Sequence, residues 1–466
     1  MLNSKKIRVA WLAPYPPGLL QPELRLARRS KAHPASWVVN LANAFAERED
    51  LDLHVITASA GILENQTVIK GGITFHVIRH TFPFTIRGFP AYMRFDALTR
   101  YAHLRRQARQ ILLELQPDVI HVHGTEYGYG LGALETDTPT IISIQGIVNL
   151  YARVYPSIFY RLQAPIERQV IRTAKYLGSR TAWANCFIRN LNNTATIYDL
   201  PEAVNRVFFN RAVEQSNPNI LMVGSIEQRK GIAEALRAMS IVVSACPSAK
   251  LLIVGEGEES YIEELKQRTR TAEIEANVDW LGFKTAEEIA ALHTVSAILI
   301  HPAYIDNSPN SVAEAMASGL AVIASDAGGI PSMIEHGATG LLVEPGNHCQ
   351  MAEAIIALLR DEAQRKRLGN RARKVAFERN FPSRVAEKTS NAYRDIIAKE
   401  EARAKARVPE TGQSPDPLPG ERDIPESIEW CSSASNTEMG YERENAFGID
   451  GSPSRFEGYR ESRGHQ

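Results

Sequence analysis

Two carboxylates and a lysine stand out by their surroundings. Asp306 and Glu314 share the stretch DNSPNSVAEAMASG (306–319), and Glu314 lies among small and apolar residues, where an acid without a partner is costly. Ser308 is a good N-cap and Pro309 a good first helical residue, so the spacing predicts a helix from Pro309 to about Ser318 that stops at Gly319. Its first free N–H groups, near Asn310 and Ser311, would point into a cleft and receive an anion. Glu314 lies on the same face and leans back toward the helix start. A carboxylate there repels a phosphate, but one reaching past it could accept hydrogen bonds from a vicinal diol such as a ribose. Lys230, in VGSIEQRKG, is expected to open a second helix, where a cation opposes the macrodipole. Beside a bound phosphate that placement makes sense. The competing readings are structural: Glu314 in an ion pair with a local Arg or Lys, and βα turns that are polar simply because turns are.

These residues need elements to position them. KKIRVAWLA (5–13), LDLHVITA (51–58), ITFHVIRH, DVIHVHG, TIISIQG and KYLGSRT read as strands, and Val38, Leu41, Ala42 and Phe45 recur at helical spacing. NPNILMVGSI (217–226) restarts the pattern, followed by KLLIVGEG, VDWLGF, AILIHPA, LAVIASD and GLLVEPG. Strands alternating with helices imply parallel sheets. The expected fold class is α/β, with two Rossmann-like doubly wound domains facing across a cleft and a disordered C-terminal tail. We expect an N-terminal domain over 1–205, a C-terminal domain over 206–380, and a helix over 381–407 packing back toward the first. SRVAEKTSNAYRDIIAKEEARAKAR reads as a long surface helix. From 408 to 466 Pro, Gly, Ser and Glu dominate, and disorder is expected. Ligands of open parallel sheets bind at the carboxyl ends of the strands, which is where VGSIEQRKG, VGEGEE, HPAYIDNSP and ASDAGGIP fall.

Composition narrows the class. The chain has 466 residues, 44% of them hydrophobic, with 53 basic and 53 acidic side chains, as in a soluble protein of two or three domains. Twelve of the acids and only five of the bases follow residue 409, so the part before carries a net charge of +7 and should tolerate anionic partners. Cys186, Cys246, Cys349 and Cys431 form no C-x-x-C, which suggests neither a disulfide frame nor a zinc site and fits a reducing, cytoplasmic setting. No signal segment or membrane-spanning run is read in the sequence, and nothing points to nucleic acid.

The stretch from Asp306 through Glu314 to Gly319, with DAGGIPSMIEHGATGLLVEPGN after it, resembles the E-x7-E region of glycosyltransferase family 4, retaining enzymes of the GT-B fold. VGSIEQRKGI, LLIVGEGEE, VDWLGF and, more weakly, PDVIHVHG extend the likeness over most of residues 5–400. The resemblance implies that Lys230 contacts the donor diphosphate, Glu314 the nucleotide ribose and Asp306 the hydroxyls of the transferred sugar, aided by backbone N–H groups from Asn307 and Ser308 to Asn310 and Ser311. It implies a metal-independent, retaining transferase that uses a nucleotide sugar and no other cofactor, with an acceptor-binding N-terminal domain (1–205) and a nucleotide-sugar-binding C-terminal domain (206–380). Four positions depart from the pattern. Asp306 replaces a Glu, Ser225 stands where an Arg joins the lysine, Gln145 stands in place of a cleft His, and HPAS (33–36) replaces a Gly-Gly loop. They motivate the alternative of a non-catalytic nucleotide-sugar-binding partner of another transferase; a GT-B nucleotide-sugar epimerase is a third reading.

Other signals are weaker. VGEGEES lacks the third glycine of a dinucleotide fingerprint. Asp50 and Asp52 form D-x-D at the wrong edge of a sheet and read as surface charges. His121 and His123 share a strand face and read as satisfied or cleft-lining rather than metal-bound. With His33, Gln145 and Arg28, His123 is expected to face the cleft or an acceptor. The loop bases Arg25, Arg28, Arg29 and Lys31 read either as a solvated loop or as contacts to an acceptor, which would suit a phosphate-bearing lipid-linked carrier; a saccharide acceptor is the other expected partner. Basic and aromatic residues from Phe82 to Arg109 suggest peripheral membrane contact.

Overall fold

Apolar and β-branched runs set the strands. In the computed structural model, which describes residues 6–27, 35–80, 93–154, 157–210 and 217–406, they assemble two sheets. The first contains β1 (Ile7–Leu12), β2 (Leu51–Ser59), β3 (Gln66–Lys70), β4 (Ile73–Arg79), β5 (Val119–His123), β6 (Thr140–Ser143), β7 (Tyr176–Ser179) and β8 (Thr196–Asp199), in the order β3-β4-β2-β1-β5-β6-β7-β8. The second contains β9 (Asn219–Val223), β10 (Lys250–Val254), β11 (Val278–Gly282), β12 (Ile298–His301), β13 (Ala321–Ser325) and β14 (Leu341–Val343), in the order β11-β10-β9-β12-β13-β14. Every pairing is parallel except β3 with β4. The strands β1, β5, β6, β12 and β13 are buried along all or most of their length, as parallel strands covered by helices on both faces must be. This is the two-sheet, doubly wound architecture read from the sequence.

Two strands escaped that reading. β3 leads into the Gly71-Gly72 turn and pairs antiparallel with β4 beyond it, and β8 is the short, half-exposed TIYD. Among the described residues Cys246 and Cys349 are free. The stretch from 408 lies outside the described residues.

Apolar side chains fill both faces of each sheet. The last described helix, Pro382–Ala406, is more than a surface element. Its Val385, Ala386, Ala392, Tyr393 and Ile396 join the core over the first sheet, packing against the helix Ser36–Ala46. Tyr393 is fully buried, and its hydroxyl receives the Trp11 indole N–H at 2.9 Å and lies 2.6 Å from His121 Nδ1. Ser143 Oγ lies 2.7 Å from the other nitrogen of that imidazole, and burial pushes the His121 pKa down to about 3. The ring is therefore neutral and both of its nitrogens are partnered.

Removing one hydroxyl should leave a buried indole N–H and a ring nitrogen unpaired. Tyr393→Phe is expected to lower unfolding free energy by about 1–3 kcal/mol, read from urea denaturation, whereas an unchanged midpoint would contradict this account of the helix.

Candidate functional site

In a doubly wound sheet, the crevice opens where neighbouring strands send their connections to opposite faces. In the second sheet that point lies between β9 and β12. After β9 come Ser225 and the 3-10 turn Gln228–Lys230; after β12 comes the loop from Pro302 to Pro309. Strand order therefore brings Lys230 to Asp306. Lys230 Nζ donates to Asp306 Oδ2 at 2.5 Å, His301 Nε2 lies 3.2 Å from the same oxygen, and the Arg229 guanidinium is 3.9 Å away. The other carboxylate oxygen accepts the Asn307 N–H at 3.0 Å. Burial alone would raise the Asp306 pKa; Lys230, the His301 hydrogen bond and Arg229 outweigh it and hold the carboxyl far below the usual range. Burial lowers the Lys230 and His301 pKa values, with Asp306 opposing both shifts. The expectation that Lys230 opens a helix is corrected: it closes a turn, and the helix Ile232–Ala245 begins after Gly231.

The quoted helix runs Asn310–Ser318, with Pro309 at the N-cap and no side-chain cap. Ser308 is not the cap, because its hydroxyl donates instead to Glu202 Oε2 at 2.8 Å. The N–H groups of Asn310 and Ser311 lie in the first turn and so have no intrahelical acceptor. Asn310 Nδ2 reaches Ser36 Oγ at 3.2 Å, and Ser311 Oγ lies 3.4 Å from His301 Nδ1. Asn307 is not spare, since its amide side chain accepts from Thr181 Oγ1 at 2.6 Å and donates to the Gln145 carbonyl at 2.7 Å. Gly328 and Gly329 make this loop possible. A Cβ on either would strike the carbonyls of Asp306 or Asn307, and the Gly329 N–H donates to the Asp306 carbonyl at 2.8 Å.

Glu314 is the contrasting carboxyl. It is half-buried and has neither a side-chain hydrogen bond nor an ion pair among the described residues, so the proposed structural pair with a local Arg or Lys is not formed. Burial, and then the charge of Glu202, push its pKa up to about 8.

The remaining expected site residues divide. Ser225 follows β9 and brings no cation, but Arg229 does, lying over the Tyr151 ring at 5.3 Å and bonding Glu227 at 2.8 Å. His123 and Gln145 end β5 and start the loop after β6. His123 is buried, with its ring stacked on His121 at 3.9 Å, and burial holds its pKa well below the ordinary value. His33 and Arg28 fall outside the described residues, as do Arg29 and Lys31. Ala35, beside them, has φ +43°, the left-handed region that a glycine would occupy without strain. Asp50 and Asp52 serve as surface partners of Arg48 and Arg8. Sequence reasoning missed His301, Arg229 and Glu202. His301 was visible as the one polar residue ending AILIH, and Arg229 as the neighbour of Lys230; Glu202 lies in a linker with no periodicity to expose it.

The Glu314 pKa carries a stability prediction. A carboxyl raised to about 8 in the folded protein, against about 4.3 unfolded, contributes fully below the lower value and loses that contribution as pH rises through the upper one. The thermal midpoint of Glu314→Gln should therefore rise relative to the parent between about pH 5 and pH 9. A difference that stays flat over that interval would contradict it.

Residues 205–375 match the family model for glycosyl transferases group 1, and residues 35–177 match the model for glycosyltransferase family 4. N-acetyl-alpha-D-glucosaminyl L-malate synthase of Bacillus anthracis is 28% identical over 211 residues, covering 43% of this chain and 54% of that protein. Alpha-maltose-1-phosphate synthase of Mycobacterium tuberculosis is 28% identical over 222 residues, covering 45% and 57%. The chain thus spans about half the length of these curated relatives. Sucrose-phosphate synthase from Thermosynechococcus elongatus superposes with a TM-score of 0.68 at 18% identity, covering 84% of this chain and all of that one. Anabaena HepE in complex with UDP-glucose gives 0.62 at 14%, covering 85% and 100%. The structural likeness establishes the GT-B fold, and with the two adjoining family matches the chain belongs to the family 4, group 1 glycosyltransferases.

Proposed function

We propose that the protein is a retaining, metal-independent glycosyltransferase. It moves a sugar from a nucleoside-diphosphate sugar to a polysaccharide, oligosaccharide or lipid-linked acceptor. The observation that carries this reading is the pairing of unlike carboxyls at one helix start. Asp306 is ionised and held by cations, while Glu314 has no partner among the described residues and a raised pKa.

Each has a task that its environment suits. Lys230 exchanges Asp306 for the donor diphosphate, and the N–H groups of Asn310 and Ser311 add the helix field. Glu314 meets the ribose hydroxyls, and Asp306 accepts from hydroxyls of the transferred sugar. As the bond from sugar to diphosphate breaks, negative charge builds on the departing phosphate, where fixed cations stabilise it without reorganising. Arg229 makes up for the cation missing at Ser225. HepE has been crystallised with UDP and with UDP-glucose, and one relative is named for N-acetylglucosaminyl transfer. UDP-glucose and UDP-N-acetylglucosamine are thus the first donors to try.

Among the described residues no helix is long and apolar enough to cross a membrane. Arg105, Arg106, Arg109 and Leu113 line one groove along the helix Ala102–Leu115. We place the protein in the cytoplasm with that face against anionic lipid. Charge reversal at Arg106 and Arg109 should abolish salt-sensitive sedimentation with phosphatidylglycerol vesicles, and binding that survives the change would exclude this face.

Glu314→Ala and Lys230→Ala should each lower turnover of the donor by about a hundredfold or more with the far-UV circular dichroism unchanged. Donor hydrolysis without acceptor, slow in the parent and lost in Glu314→Ala, separates an enzyme from a mere binder. Near-normal turnover in either variant would refute the assignment.

A further inference from the structure

The carboxyl ends of β5 and β6 carry polar groups that donor binding leaves unused. Glu126 follows β5 in HVHGTEYG. Its side chain folds back over Gly124, whose φ of +101° and lack of a side chain the approach requires. A Cβ at 124 would strike Glu126 Oε2 and lie 3.5 Å from Gln145 Cγ. Beside this carboxyl, both polar atoms of the Gln145 side chain are buried with no hydrogen-bond partner among the described residues, and so is Nε2 of His123 at the end of β5. Buried groups left unpaired are few in folded proteins, and here three such atoms lie along one edge, at the carboxyl ends of the paired strands β5 and β6.

That edge faces the donor loop. The Asn307 side chain donates to the Gln145 carbonyl at 2.7 Å, and the buried Tyr151 phenol lies in the fields of both Asp306 and Glu126. Several neighbours surround the carboxyl. The helix Ile158–Thr173 contributes Glu167 and Tyr160, the helix Val148–Val154 contributes Tyr151, the turn after β7 contributes Arg180, and Tyr101 lies before the helix Ala102–Leu115. Glu167 is itself committed elsewhere, accepting from Thr125, Val148 and Asn149. No cation neutralises Glu126 by direct contact among the described residues.

We propose that Glu126 is the acceptor-orienting carboxyl of this site. With Gln145 and His123 it receives a hydroxyl-bearing acceptor, and it takes a hydrogen bond from the attacking hydroxyl so that its oxygen points at the sugar held by Asp306. The inference rests on the glycosyltransferase reading. In the step it serves, the hydroxyl oxygen bonds to the anomeric carbon as the bond from that carbon to the diphosphate breaks. The electron pair leaves with the diphosphate, which takes the hydroxyl proton. Only the ionised carboxylate can accept without donating. Burial and the charge of Glu167 push the Glu126 pKa up to about 7, so turnover should fall as the medium is acidified through that value.

The test is Glu126→Gln on the full chain, with Glu126→Asp as a milder second variant. UDP affinity is measured by calorimetry, and turnover of UDP-glucose and UDP-N-acetylglucosamine is measured with water and with octyl glucoside as acceptors. Affinity for UDP should stay within roughly twofold and kcat should fall at least about tenfold. The acid limb of the parent's kcat profile should vanish in Glu126→Gln, and Glu126→Asp should keep it. An unchanged kcat and profile would overturn the proposal. So would loss of UDP affinity together with turnover, or a parent that binds UDP yet turns over neither donor. A parent that binds no UDP would instead sink the glycosyltransferase reading.

Discussion

The arrangement depends on one buried carboxylate. Asp306 sits in a largely enclosed loop with Lys230, His301 and Arg229 around it, and a charge so placed survives only if it is paired and hydrogen-bonded. Its pairing with Lys230, 76 residues away in sequence, ties the turn after β9 to the loop after β12. It also holds in place the cations that a diphosphate would call upon. In the proposed function the same pair is the exchangeable part, with a donor replacing Asp306 as the partner of Lys230 and releasing the carboxylate to the sugar.

The loop from Pro302 to Pro309 is also where the two lobes meet. Ile305 packs in the core of the first lobe, Asn307 binds Thr181 and the Gln145 carbonyl, and Ser308 binds Glu202 of the linker. Glu202 in turn faces Arg180 at 3.7 Å and raises the Glu314 pKa. The helix Pro382–Ala406 crosses back to bury Tyr393 beside Trp11 and His121, so the segment following the second sheet completes the core of the first.

Much of this was legible in the sequence because parallel strands buried on both faces must be continuously apolar. IRVAWL, VIHVH, ILIH and AVIAS announce themselves. β3 and β8 did not, since QTVIK and TIYD lie at the edges of the sheet and are half exposed, so no apolar run marks them. Local signals also misplaced the helix start. Ser308 followed by Pro309 satisfies every local capping preference, yet Ser308 spends its hydroxyl on Glu202, a linker residue that no spacing rule connects to it. Lys230, Asp306 and Glu314 could be singled out from their surroundings. Their actual partners could not, because these come from strand order in the sheet and from the contact between lobes.

The most direct measurement is a crystal structure of the full chain with UDP-glucose bound. The account predicts phosphate oxygens within hydrogen-bonding distance of Lys230 Nζ and of the N–H groups at Asn310 and Ser311, Glu314 on the ribose hydroxyls, and Asp306 parted from Lys230. A nucleotide bound elsewhere, with the ion pair of Lys230 and Asp306 intact, would contradict it.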